Sequence, residues 1–305
     1  MALATDGDRG HDREMGPPDV EVAPSAVSTP DGDGAPERPI RHHRLRWILL
    51  GLLGVAVSFL LVSAVLTFEG RARPVGIREA VSHYHPDATG DALPHPAPGV
   101  YSYTGTGTDG LSLPPLSQPE GPTLPGTVEL GTKGCWTFRI DFSTNHWQSW
   151  TYCQGSAGLD ETAEQVWQRW MVGPVPVTNL SSLRCDPGSM ALPSVRTVGQ
   201  SWPARCTGTS TEISGRLVAA GSYRFLGDST MTIGGHKVVA AHFRRQWSLS
   251  GAQVGPERDD LWFDTATGLP LENQRSIRVR TDTPFGTSTY TETGHFVLGS
   301  LTPLT

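Results

Sequence analysis

Lysine is almost missing from this 305-residue chain: Lys133 and Lys237 are the only two, and neither closes a glycine-rich run ahead of a Ser or Thr. A phosphate-cradling loop is thereby excluded. Gly155-Ser156-Ala157-Gly158 misses the Gly-x-Ser-x-Gly spacing, so there is no nucleophile elbow either. The four cysteines include no Cys-x-x-Cys pair and are not interleaved with histidines, which removes zinc clusters, dithiol redox motifs and haem attachment. An excess of positive charge is lacking as well. The formal net charge is -6, concentrated before residue 40, and the rest of the chain is nearly balanced, so no nucleic-acid binding is expected. Glycine (35) and proline (25) together stay below the level of a low-complexity chain and punctuate one rich in turns.

One long hydrophobic run is present, and it organises the rest. Trp47 to Phe68 holds no charged side chain and only the hydroxyls of Ser58, Ser63 and Thr67. At about 1.5 Å per residue it crosses a ~30 Å hydrocarbon layer as one helix. The long N-terminal extension and the absence of a clean small-x-small cleavage site make it an uncleaved signal anchor, and no neighbouring cysteine accepts a lipid. Arg38, Arg41, Arg44 and Arg46 precede it while Arg71, Arg73 and Arg78 follow, a small bias toward a cytoplasmic N-terminus. Cysteine usage points the same way. Cys135, Cys153, Cys185 and Cys206 all follow the span, as expected of a domain in an oxidising compartment of the cell envelope.

The expected organisation is a disordered cytoplasmic tail over 1–46 with its basic juxtamembrane cluster, a transmembrane helix over 47–68, an extracytoplasmic linker over 69–99 and a β-rich extracytoplasmic domain over 100–305. The linker, dotted with proline, reads as a stalk holding the domain off the bilayer. Within it, His83-Tyr84-His85-Pro86-Asp87 has a metal-ligand spacing without the second Asp-His pair that metallohydrolases add, and reads as solvated chain.

In the domain, Trp136, Phe138, Ile140 and Phe142 alternate with Thr137, Arg139 and Asp141, a strand with one buried face. A return strand runs through Trp150 and Tyr152. A turn about Thr144 sets Cys135 opposite Cys153 at disulfide distance, leaving Cys185 for Cys206. The prolines from Pro114 to Pro125 predict a loop excursion, and Val177 to Pro203 another. One helix is expected: Asp160 as cap, Glu161 and Glu164 near its N-terminus, and Ala163, Val166, Trp167, Trp170 and Met171 on one apolar face up to Gly173-Pro174. The last hundred residues predict an antiparallel meander, in which Val239, Ala241, Phe243, Trp247 and Leu249 face one side and His242, Arg244 and Gln246 the other.

Gly234-Gly235, Val238-Val239, the Trp262 strand, Thr267-Gly268-Leu269-Pro270, Tyr290-x-Glu292 and Leu298-x-Ser300-Leu301-x-Pro303, with Tyr101, Tyr103, Trp150 and the four cysteines, resemble uncharacterised actinobacterial membrane-anchored ectodomains. More distantly, the meander ending in Gly-Leu-Pro and a closing strand is similar to the lipoprotein-carrier superfamily of LolA and LppX. That resemblance implies a curved sheet around a helix, with an apolar groove for acyl chains.

The expected fold is mainly β (α+β): a curved antiparallel sheet, or half-barrel, of about eight to ten strands packed on one helix. The expected function is non-catalytic binding of an apolar or lipid ligand in a groove lined by Trp167, Trp170, Phe243 and Trp247, with no metal or cofactor. The alternative is a structural or signalling ectodomain that binds another envelope protein. A hydrolase comes third, using His236, His242 or His295 with Asp259, Asp260 or Glu292.

Overall fold

The computed structural model describes residues 41–85, 94–284 and 286–305. The tail over 1–40, and Pro86 and Asp87 of the histidine run, lie outside the described residues. Helix α1 (Arg41–Glu69) contains the apolar segment Leu45–Leu66, 22 residues of which none is buried inside the protein. It is long and apolar enough to cross a bilayer. A short helix α2 (Ile77–His83) follows.

The remainder is β: β1 (Gly99–Ser112), β2 (Pro115–Glu120), β3 (Thr123–Leu130), β4 (Cys135–Ser143), β5 (His146–Gly155), β6 (Gly158–Val172), β7 (Val175–Cys185), β8 (Met190–Pro193), β9 (Ser201–Ser210), β10 (Leu217–Ile233), β11 (His236–Gly251), β12 (Gly255–Asp264), β13 (Pro270–Thr283) and β14 (Gly286–Leu298). The strands β1, β3, β4, β5, β6, β7, β9, β10, β11, β12, β13 and β14 are antiparallel neighbours in that order, and β14 returns to β1 from Tyr103↔Leu298 to Leu111↔Tyr290. The sheet is therefore a closed barrel and not the expected half-barrel. Closure leaves these strands no open edge. β2 extends the wall beside β1, and β8 pairs with β6.

The hairpin of β4 and β5 has the expected register, with Cys135 opposite Cys153, and both disulfides, Cys135–Cys153 and Cys185–Cys206, are formed across directly paired positions. The expected helix is absent. Its sequence is β6, in which Val166 and Trp170 turn into the barrel with Glu161, Glu164 and Gln168, while Trp167 turns out against Trp147. The inward row of β6 is polar at most positions, so its alternation is hidden and the apolar residues mimic a helical stripe. Packing on both neighbours, β5 and β7, decides the conformation.

Both expected loops are also largely strand. β2 and β3 occupy the proline-rich stretch, where β2 pairs on one side only and can place prolines on its free edge. β7 and β8, with the start of β9, occupy most of 177–203. Leu217–Leu226 and Thr230–Ile233 form the single strand β10, bent at a bulge between Phe225 and Gly227. Val239, expected on the buried face, is 50% exposed.

The barrel has two distinct ends. The turns after β4, β6, β9 and β11 share one end, and those after β3, β5, β10 and β12 share the other. Residues leaving α1 bind at the first, here called proximal. Asn145 Nδ2 donates to the Gly70 carbonyl at 2.8 Å, and Thr144 N–H donates to the Arg73 carbonyl at 2.8 Å. The Met171 side chain fills the space a side chain on Gly70 would need. α2 then lies against β1 and β3. Residues 70–84 thus run along the barrel wall rather than forming a stalk.

Candidate functional site

Read from the proximal end inward, the interior has three layers of different character. Val166, Leu183, Leu217, Leu249, Ile277 and Val279 form an apolar rim. Beneath it lies a belt of charge. Beyond the belt, Tyr103, Trp136, Phe138, Trp150, Tyr152, Phe225, Phe243, Phe263 and Phe296 form an aromatic floor, tied by pairs such as Tyr103–Phe138 at 5.6 Å and Phe225–Phe243 at 5.2 Å between ring centroids. The sequence of each strand carries the change: Phe243, Arg245, Trp247 and Leu249 succeed one another on the inner face of β11, and Leu271, Asn273, Arg275, Ile277 and Val279 on that of β13.

The belt is built by cross-strand register. Arg245 lies directly opposite Asp259, which lies directly opposite Arg275. Beyond Arg275 come Gly294 and Gly107, paired with each other, and their missing side chains leave room for Arg275 and the Glu120 carboxylate. Arg245 donates to Asp259 Oδ2 at 2.9 Å, to Glu164 Oε2 at 3.3 Å and to Glu257 Oε1 at 2.5 Å, and its guanidinium lies 4.7 Å from the Trp247 ring centroid. Glu161 is 3.7 Å from it and accepts from the Tyr223 hydroxyl. Arg275 pairs with Glu292 at 2.8 Å and donates to Gln148, while Tyr290 donates to Glu292 at 2.5 Å and Gln168 donates to Tyr290 at 2.6 Å. On the β1 side, His146 Nδ1 is 3.0 Å from Glu120 Oε1 and 3.6 Å from Asp109 Oδ2. Gln118 donates to Asp109 and accepts from Asn145, whose amide also reaches Gly70.

Seven buried carboxylates, Asp109, Glu120, Glu161, Glu164, Glu257, Asp259 and Glu292, thus face two guanidiniums and one imidazole. Negative charge in a low-dielectric interior is costly, and protons offset part of it. Burial pushes Asp109 up to about 7, against the pull of His146, and pushes Glu161 up to about 7, against the pull of Arg245. Burial also raises Glu257 and Glu120, the latter further raised by Glu292. For His146 burial works against the charged form, but Glu292, Glu120 and Asp109 outweigh it and hold its pKa above the usual imidazole range.

Between rim and belt is a cavity of about 70 Å³, lined by the rim residues and by Gln148, Glu164, Gln168, Trp247, Glu257, Arg275, Tyr290 and Glu292. Of the four residues expected to line an apolar groove, Trp247 lines this cavity. Trp170 is buried nearby with its ring 6.4 Å from Tyr290, Phe243 is packed in the aromatic floor, and Trp167 is on the outer wall. They do not form one groove. The histidines considered for acid–base chemistry are separated from the interior acids by the barrel wall: His242 pairs with Asp260 at 3.2 Å and stacks on Trp262, and His295 pairs with Glu272 at 2.8 Å. A second concavity of about 440 Å³ lies outside the barrel, between α2 and the wall, with Tyr84, Glu129, Arg139, Trp147 and Trp167 among its lining.

The sequence reading missed the belt. The signal was present at Arg245, which falls between Phe243 and Trp247 in the same inward register, and at Glu161 and Glu164, read as helix-terminal charges.

No protein-family model and no curated protein sequence matches the chain. Among solved structures, the hypothetical lipoprotein YmcC from Escherichia coli matches over 74% of this chain and 98% of its own, at 13% identity and a TM-score of 0.30. A likeness of that size does not bear on function.

Proposed function

We propose that this chain is a single-pass membrane protein of the cell envelope, N-terminus in the cytoplasm and barrel outside, and that the barrel binds a lipid-like amphiphile without chemically altering it. One observation carries the reading: the interior cavity, with its apolar rim over a charged belt, sits toward the barrel end that is hydrogen-bonded to the residues leaving the apolar helix. Two disulfides and no free cysteine favour the oxidising side of the membrane. A cavity of about 70 Å³ is well below the roughly 300–1,000 Å³ of sites that enclose a small molecule, so it admits only the end of a ligand. The excess of carboxylates favours a headgroup that bears a cationic amine. The remainder of the amphiphile stays in the bilayer.

Native mass spectrometry of the full chain, extracted from its membrane in mild detergent, tests this. A lipid adduct is expected on the wild type and on Val239→Trp, which alters the outer surface, but not on Val279→Trp, which fills the rim. A wild type without adduct, or an adduct that survives Val279→Trp, contradicts the reading. A second reading, docking of another envelope protein, is favoured by the outer groove and its Trp147–Trp167 stack, rings 6.4 Å apart with Arg139 over Trp147 at 4.3 Å. Loss of a co-purifying protein on Trp167→Ala, with the lipid adduct unchanged, would support that role.

A further inference from the structure

Three side chains of the charged belt come from three different strands and meet at one point. We propose that Asp109 on β1, Glu120 on β2 and His146 on β5 bind one divalent transition-metal cation, of the zinc or manganese class, inside the barrel.

The geometry needs little rearrangement. One donor atom from each residue lies within 4.8 Å of the other two. His146 Nδ1 is 3.0 Å and 3.6 Å from the nearest Glu120 and Asp109 oxygens. In a tetrahedral zinc site with bonds of about 2.0–2.1 Å, neighbouring donors are separated by about 3.3 Å, between those two values. An imidazole nitrogen with two carboxylate oxygens is a donor set that suits zinc or manganese better than a soft ion.

A second observation points to a missing partner. The Asp109 side chain is 0% exposed, yet its Oδ1 has no hydrogen-bond partner among the described residues. A buried carboxylate oxygen left bare is expensive, and a cation beside it removes the cost. The local charge agrees, because Asp109, Glu120 and Glu292 have only Arg275 and His146 to balance them. Space has been made for the site too, since a side chain on Gly107 would collide with Glu120 Oε2.

Supporting groups hold the three donors in place. Gln118 donates to Asp109 at 3.1 Å and is itself held by Asn145, and the Phe142 ring packs on His146 with centroids 4.8 Å apart. Such outer-shell contacts orient metal ligands. The other acid–cysteine cluster, Glu161 with Cys185 and Cys206, has both sulfurs committed to a disulfide and offers no thiolate. No short sequence motif marks the site, because its three residues derive from three separate strands.

The test uses the full chain in detergent, stripped with a chelator and titrated with Zn²⁺, Mn²⁺ or, as a spectroscopic probe, Co²⁺. One ion per chain is expected, with a rise in Tm and a Co²⁺ visible spectrum of low-symmetry oxygen and nitrogen ligation. Asp109→Asn and His146→Gln should each weaken binding at least about tenfold, whereas His242→Gln and His295→Gln on the outer wall should leave it unchanged. No binding by the wild type, or binding lost with the outer histidines instead, overturns the proposal. Should His146→Gln fail to fold, the wild-type Co²⁺ spectrum and stoichiometry still decide. The lipid adduct is read separately, so either proposal can fail alone.

Discussion

The proximal and distal halves of the barrel share one wall and one alternation of side chains, yet they are filled by different physics. The distal half is an aromatic core that gains from removing apolar area from water. The proximal half buries a belt of carboxylates around Arg245 and Arg275, an arrangement that is more often neutral or costly than stabilising compared with an apolar filling. A fold that already possesses an adequate core has no structural need of such a belt. The contrast therefore marks the proximal half as the part shaped by something other than stability.

Size-matched substitutions in the two halves expose the difference. Arg245→Met strips four carboxylates of their shared cation, and a loss of about 3–5 kcal/mol is expected in urea unfolding. Leu271→Met in the floor should cost less than about 1.5 kcal/mol. Equal losses would erase the distinction. Cys135–Cys153 joins the distal ends of β4 and β5, so Cys135→Ser with Cys153→Ser tests the floor's half alone; about 3 kcal/mol is expected from an 18-residue separation, with lipid adduct retained.

Acidity gives a subtler contrast. Glu161 is held near 7 in the folded protein by burial, above its unfolded value, so the native state keeps a proton that the unfolded chain releases. Stability contributed by this group is present below about pH 4.5 and is lost as pH rises toward about 7. Tm should therefore fall across that window, and Glu161→Gln should flatten the fall. A Tm that rises with pH through the same window, unaltered by the substitution, would show Glu161 ionised in the fold. Leu271→Met should leave the slope as it is.

Sequence reading reached the aromatic floor more readily than the belt, for a physical reason. Trp136, Phe138, Ile140 and Phe142 alternate cleanly, and a cysteine pair fixes the register of β4 against β5, so that hairpin is legible from local pattern. β6 is not, since its inward Glu161, Glu164 and Gln168 look like surface residues until the strands across the barrel supply Arg245 and Tyr290. β7 fails similarly, carrying Asn179, Ser181 and Ser182 where an apolar row would announce a strand. Barrel closure joins β1 to β14, nearly the whole domain apart in sequence, and no local signal encodes it. Asp109, Glu120 and His146 are closer in the chain, but they sit on three different strands at no recognised ligand spacing, so only the folded wall brings them together.

All that is proposed for the chamber depends on the proximal rim lying against the bilayer. The native chain has no free thiol, so Val254→Cys, in the proximal turn after β11, and Ala266→Cys, in the distal turn after β12, each accept a single fluorophore. In liposomes whose lipid headgroups carry a nitroxide quencher, the label at position 254 should be strongly quenched and that at 266 scarcely at all. Equal quenching at both positions, or stronger quenching at 266, would contradict a barrel that opens toward the membrane.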